Sequence, residues 1–339
     1  MGWDRRLADL YAPHVGGRVE PGRVVRVDVD RCVVTTAAET TTASATKLPV
    51  VGDWVVLEPS PDASPPNVVV DVLERRSTLS RSTADARGTD QVVAANIDIV
   101  GIVTGLDQEP NIRRLEREVV VASAGGAQPL IVLNKADLHA DPGAAAELIR
   151  TRIPAVDVML VSAYNDSGVD ALANAVAPNL TLVLVGASGV GKSTLVNRLT
   201  DSEIMPTNEV RESDRKGRHT TTARHLIVLP HGGVLIDTPG VRSVALSADP
   251  TGIAVAYEDI EDVATRCRFT DCQHKGEPGC AVAAAIADGD LDRGGVARYV
   301  ELSDEAASIE AARDPGERAH RARADREARQ ATRSRRRRG

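Results

Sequence analysis

The stretch Gly186-Ala-Ser-Gly-Val-Gly-Lys192-Ser193 matches the pattern G-x-x-x-x-G-K-[ST]. It follows an apolar run of strand length and opens a segment of helical pattern, the context in which this motif cradles phosphates. Glycines let backbone N–H groups curl round phosphate oxygens, and a helix N-terminus adds a favourable dipole. Phosphate contacts are expected from Gly186, Ala187, Ser188, Gly189, Val190, Gly191, Lys192, Ser193 and Thr194. Lys192 should reach the β- and γ-phosphates, and the Ser193 hydroxyl should bind Mg²⁺. Asp237-Thr-Pro-Gly240 ends a later apolar strand. Asp237 there can hold the same Mg²⁺, and the Gly240 N–H can face the γ-phosphate. Asn134-Lys135-Ala-Asp137 ends another strand. A carboxylate at Asp137 can accept from N1–H and the exocyclic amine of guanine, a pairing that adenine does not offer. Lys135 would lay its stem over the base, Asn134 would tie loops together, and Ser162-Ala163 would offer a backbone N–H to the guanine carbonyl.

Between the phosphate loop and Asp237 lies Lys216-Gly-Arg-His219-Thr-Thr221-Thr222, polar and Gly-containing as a switch loop should be. One of the three threonines, with Thr221 the choice, would complete the Mg²⁺ shell. His219 is a candidate for orienting water or else a surface histidine in a basic loop. Lys192 and Thr221 complete the catalytic set. The guanine motifs precede the phosphate loop, so the order of the five GTPase motifs is G4-G5-G1-G2-G3, that of a circularly permuted GTPase. Permutation preserves a site because the termini of a compact domain lie close together. Val241 follows Gly240, where small GTPases place a water-orienting glutamine, and valine can neither donate nor accept. Intrinsic hydrolysis is therefore expected to be slow, with the missing groups supplied by a partner.

Cys267, Cys272, His274 and Cys280 fall within CRFTDCQHKGEPGC. Three thiolates and one imidazole make a closed tetrahedral set, suited to one structural Zn²⁺ rather than to hydrolysis. A redox pair is the alternative, although the segment has no C-x-x-C. Cys32 reads as a core residue.

The elements that position these groups follow from patterning. Residues 17–75 alternate polar and apolar residues in short runs, the mark of a small β-barrel. Residues 76–95 read as a linker with few packing residues. From residue 97, near-continuous apolar runs alternate with helical stretches (Ile112 to Ala124, Gly143 to Thr151, Val169 to Ala177), as in a doubly wound parallel sheet. HLIVLP and VLIDTPG flank a Gly-Gly turn and read as a hairpin. From residue 250 the chain is mainly helical. The expected units are 1–80 (barrel with an N-terminal extension), 81–246 (permuted P-loop GTPase) and 247–339 (zinc-binding helical domain with an Arg-rich tail). The net charge of −7 conceals eleven arginines against four acids in residues 313–339. That tail either meets nucleic acid phosphates or is simply solvated. Aromatic residues make up only 2%, which argues against single-strand recognition by base stacking. Neither a membrane span nor a secretory signal is evident, so a cytoplasmic location is expected.

Together GDWV, QVVAANID, GASGVGKST, GRHTTT, DTPG and CRFTDCQHKGEPGCAV closely resemble the ribosome small-subunit-dependent GTPase A family (RsgA, also called YjeQ) over nearly the whole chain. The resemblance implies an N-terminal OB-fold, a permuted GTPase domain and a zinc-containing helical domain. It also implies GTP, GDP, Mg²⁺ and Zn²⁺ as ligands, and the small ribosomal subunit and its rRNA as partners of a monomer. The family acts in late maturation of that subunit, which stimulates its hydrolysis. One departure lies before GDWV, where TTAAETTTASATKLP replaces a basic strand and carries only Lys47. The competing reading is a guanine-nucleotide-gated rRNA-binding scaffold whose hydrolysis is incidental; a GTPase metal chaperone is disfavoured by the saturated thiolate set.

Overall fold

Valine- and threonine-rich runs separated by Asp, Gly and Ser make five short strands: β1 (Glu20–Val27), β2 (Cys32–Thr35), β3 (Thr40–Ser44), β4 (Trp54–Pro59) and β5 (Asn67–Val72). The computed structural model describes residues 1–60, 64–81, 91–176, 178–202, 224–237 and 251–312. In it these strands pair in the order β1-β2-β3-β5-β4, and β4 returns to β1, closing a five-stranded, OB-like barrel. Val24, Cys32, Val34, Ala43, Val55 and Leu57 fill its interior. A short helix, α1 (Arg5–Tyr11), starts on Asp4, whose carboxylate accepts the Leu7 N–H at 2.9 Å. Leu7 packs against Trp54, Val56 and Leu73. At seven residues, α1 is too short to show a hydrophobic period in the sequence.

The expected linker is partly wrong. Its residues form β6 (Thr78–Arg81) and β7 (Gln91–Ala95), an antiparallel pair. Leu79, Val93 and Ala94 are buried in the main core, and the polar neighbours between them masked that role in the sequence.

Six strands form the central sheet: β8 (Ile99–Gly105), β9 (Gln128–Asn134), β10 (Asp157–Leu160), β11 (Thr181–Val185), β12 (His225–Val228) and β13 (Val234–Asp237). Their order is β10-β9-β8-β11-β13-β12, parallel except for the β12–β13 hairpin. Successive side chains of a strand face opposite ways. Val100, Ile102, Ile131 and Leu133 accordingly meet α2 (Ile112–Ala124) and α3 (Pro142–Arg152) on one face. Ile99, Val103, Leu130 and Val132 meet α4 (Val169–Ala175) and α5 (Lys192–Leu199) on the other. The barrel is not a separate bead, because β1 pairs with β12 (Arg26 opposite His225) and joins barrel and sheet edge to edge.

Among the described residues, four helices follow: α6 (Thr251–Ala256), α7 (Glu258–Ala264), α8 (Ala281–Asp288) and α9 (Arg293–Ala312). Their apolar residues Ile253, Ile260 and Val282, with Tyr257 between α6 and α7, share one core with Leu115, Val119 and Val120 of α2. Arg117 grips Glu305 with two bonds of 2.6 and 2.7 Å, and Arg298 pairs with the buried Glu116. Among the described residues, no helix is long and apolar enough to cross a membrane.

Candidate nucleotide and metal sites

In a parallel sheet the loops at the carboxyl ends of the strands lie along one edge, where ligands bind. The carboxyl ends of β9, β10, β11 and β13 bring Asn134, Ser162, the loop from Gly186 and Asp237 to that edge. Gly191, with φ of 92°, is the N-cap of α5; a Cβ there would sit 2.3 Å from the Asn134 amide nitrogen. Only glycine fits that approach. Asn134, 1% exposed, uses it: its amide donates to the Val190 carbonyl at 2.9 Å, and its oxygen accepts the Ala163 N–H at 3.1 Å. One side chain thus ties three loops.

Lys135 sits in the left-handed region, with φ of 60°, and its Nζ bonds Asp107 at 2.7 Å. That bond holds the Asp107 carboxyl below its usual range. The Ser162 hydroxyl donates to the exposed Asp137 carboxylate. Beyond Ala163 the loop is closed by the Ser162 N–H to the Ser167 carbonyl at 2.8 Å. Arg198 of α5 braces it, donating to the Ala163 carbonyl at 3.1 Å and pairing with Asp166 at 3.0 Å. A cavity of about 300 Å³ opens among Asn134, Lys135, Asp137, Ala163, Gly191 and Thr194. Leu138 and Tyr164 complete its rim. Asp107, Leu138, Tyr164 and Arg198 were not singled out from sequence, because they lie outside the motif patterns and only folding brings them here.

The phosphate loop lies beside this cavity. Lys192 Nζ donates to the Gly186 and Ala187 carbonyls at 2.7 and 2.6 Å. Ser193 and Thr194 follow in the first turn of α5, while Ser188 and Gly189 are exposed. Asp237 closes β13, the strand next to β11. Burial pushes its carboxyl up to about 6, although the charge of Lys192 pulls the other way. A half-buried carboxylate with so little compensation suits a cation. Thr221, His219 and Gly240, together with Thr220, Thr222 and Val241, lie outside the described residues.

The second cluster stands on the helical unit. The ligand atoms of Cys267, Cys272, His274 and Cys280 all lie within 4.8 Å of one another. Cys267 Sγ is 4.0 Å from Cys280 Sγ and 3.7 Å from His274 Nδ1, which lies 3.4 Å from Cys280 Sγ. Four ligands about 2.3 Å from a tetrahedral ion would be spaced by roughly 3.8 Å. Backbone N–H groups of Ala281 and Ala283 donate to Cys267 and Cys280 at 3.3 and 3.4 Å, the bonding that thiolates need. The donor set fits zinc and closes it off from substrate.

The RsgA GTPase family model matches residues 72–247. The small ribosomal subunit biogenesis GTPase RsgA of Streptomyces coelicolor is 43% identical over 329 residues, covering 94% of this chain and 89% of the relative. Its namesake in Methanosarcina acetivorans is 41% identical, covering 90% and 84%. The crystal structure of YjeQ from Thermotoga maritima superposes with a TM-score of 0.65 at 23% identity, covering 85% of this chain and 98% of that one, and carries the fold. The matched region spans both the Asn134 corner and the Gly186 loop, and at 94% of the chain the match to the Streptomyces relative is long enough to include the thiolate cluster. This chain belongs to the RsgA GTPase family.

Proposed function

We infer that this GTPase serves late maturation of the small ribosomal subunit, with nucleotide state governing its binding and release. The observation that carries the reading is the Asn134 knot, which sets a base cavity against a phosphate loop in permuted order. It is supported by the names of the relatives, which act in small-subunit biogenesis. Asp137 would read the guanine edge, Lys135 the ring and Ala163 N–H the carbonyl. Lys192 and the loop 186–194 would hold the phosphates. Mg²⁺ would be held by Ser193, Asp237 and Thr221, and would neutralise charge developing on the phosphates. Zinc would bind Cys267, Cys272, His274 and Cys280 as a structural ion. The three units 1–80, 81–246 and 247–339 would then act as barrel, motor and reporter.

Val241 favours a partner-completed site, since nothing at that position can orient water. The same residue supports the second reading, a nucleotide-gated rRNA scaffold with incidental hydrolysis. GTP turnover with and without purified small subunits separates the two. Stimulation of at least about tenfold is expected. Turnover that ignores the subunit would remove the enzymatic reading in favour of the scaffold.

A further inference from the structure

The chain holds two tryptophans, four tyrosines and one phenylalanine. In a protein so poor in rings, three of the tyrosines have evident packing roles. Tyr257 and Tyr299 are buried and meet edge to face at 5.7 Å. Tyr11 packs beside Trp3, and its hydroxyl donates to the Val19 carbonyl at 2.8 Å. Tyr164 is different: 83% of it is exposed, and it belongs to no apolar cluster of the described residues.

Its place is not arbitrary. Tyr164 directly follows Ala163 and lines the cavity that Lys135, Asp137 and Gly191 also line. The loop beneath it is braced on both sides, by the Ser162–Ser167 backbone bond and by Arg198 on Ala163 and Asp166. The backbone that carries the ring is thus fixed at the mouth of the cavity. Leu138, 64% exposed, stands at the same rim. An exposed leucine and an exposed tyrosine at the mouth of one largely apolar cavity make a rim suited to a flat, apolar-faced ligand.

We propose that Tyr164 stacks on the nucleotide base, supplying an aromatic face to the ring that the Lys135 stem also covers. The proposal rests on the reading of this cavity as the guanine site. Asp107 contributes by fixing Lys135, so that one of the two faces meeting the base is held in place. Stacking is indifferent to which base is present, because every base has a π-face. Tyr164 therefore adds affinity, whereas Asp137 sets choice.

Calorimetric titration of GDP and ADP into the full-length wild type, Tyr164→Ala, Tyr164→Phe and Asp137→Asn proteins tests this without reference to turnover. Tyr164→Ala should weaken GDP binding roughly five- to fiftyfold, while Tyr164→Phe stays within about twofold of wild type. The GDP preference over ADP should persist in both, since the guanine edge is still read. Thermal melting without nucleotide should be unchanged, because an exposed ring contributes little packing. If Tyr164→Ala binds GDP as wild type does while Asp137→Asn loses base preference, the stacking role is overturned and the guanine site stands. If Asp137→Asn keeps its full preference for GDP, the guanine reading falls and the stacking role falls with it.

Discussion

At the scale of single residues, the site places a poorly compensated carboxylate at the position proposed for a cation. Asp237 ends β13 with His225 opposite it in register and Lys192 on the neighbouring helix. Burial outweighs the lysine, and the carboxyl rises from 3.8 to about 6. A group whose folded pKa is raised binds more protons folded than unfolded, so its favourable contribution is complete below the unfolded value. It is lost as pH rises through 6, which makes the ionised form a cost to the nucleotide-free protein. Asp237→Asn removes that cost. In urea titrations without nucleotide, wild type and variant should match near pH 4 once their common trend is subtracted. The variant should then gain, reaching an advantage of about 2 kcal/mol by pH 7. A difference that stays flat with pH would mean that Asp237 does not titrate in this window. The same substitution should weaken Mg²⁺-dependent GTP binding, since the charge that costs stability is the one proposed to hold the ion.

At the scale of elements, the helix that flanks the sheet is also the seat of the C-terminal unit. α6 crosses α2 so closely that a Cβ on Gly252 would lie 2.1 Å from the Val120 carbonyl and 2.8 Å from the Ala124 Cβ. Gly252→Leu should therefore lift α6 from α2, exposing Ile253 and Tyr257 and straining the Glu116–Arg298 pair. Hydrogen exchange should show residues 251–312 losing protection, with a destabilisation of about 3 kcal/mol or more. Wild-type protection in that span would show that the helices can slide without loss of docking. Neither this crossing nor the β6–β7 pair was legible in the sequence. The reason is physical: a glycine at a helix contact has no periodic signature, and the short apolar run at residues 92–95, at the end of a long polar segment, shows no alternation that would mark a partner strand. The hairpin β12–β13, the buried parallel strands and the start of α5 at Lys192 were legible, because each shows a run or motif whose spacing matches one geometry. The thiolate cluster was legible as well, since its donors lie within fourteen residues and one loop can gather them.

At the scale of the whole molecule, the barrel is held to the GTPase sheet by a buried charge as well as by the β1–β12 bridge. Arg23 of β1 is 1% exposed. Its guanidinium donates to the Asn96 carbonyl at 3.1 Å, the Thr181 hydroxyl at 2.8 Å and the Gly52 carbonyl at 3.4 Å, and also to the Met1 carbonyl. Those acceptors belong to the approach to β8, the first residue of β11, the turn before β4 and the N-terminus. The side chain thus touches each piece that meets at the junction. Burial lowers its pKa to about 10, with Asp98 opposing the shift, so it stays charged at neutral pH. Trp54 covers it, with the guanidinium carbon 5.6 Å from the ring centroid. Arg23→Met keeps the length and apolar stem but leaves the carbonyls unpaired, at a cost of about 3 kcal/mol. Much of that cost should fall on the junction rather than on either core, because Val24, Cys32 and Leu57 pack within the barrel and Leu182 and Leu235 within the sheet. Calorimetry of the variant should then resolve two transitions, the barrel melting first, where the wild type shows those lobes melting together. A single transition merely shifted to lower temperature would show that the β1–β12 bridge alone couples them. If two transitions appear, added GDP should raise only the upper one, because every proposed nucleotide contact, from Asn134 onward, lies on the GTPase side of the junction.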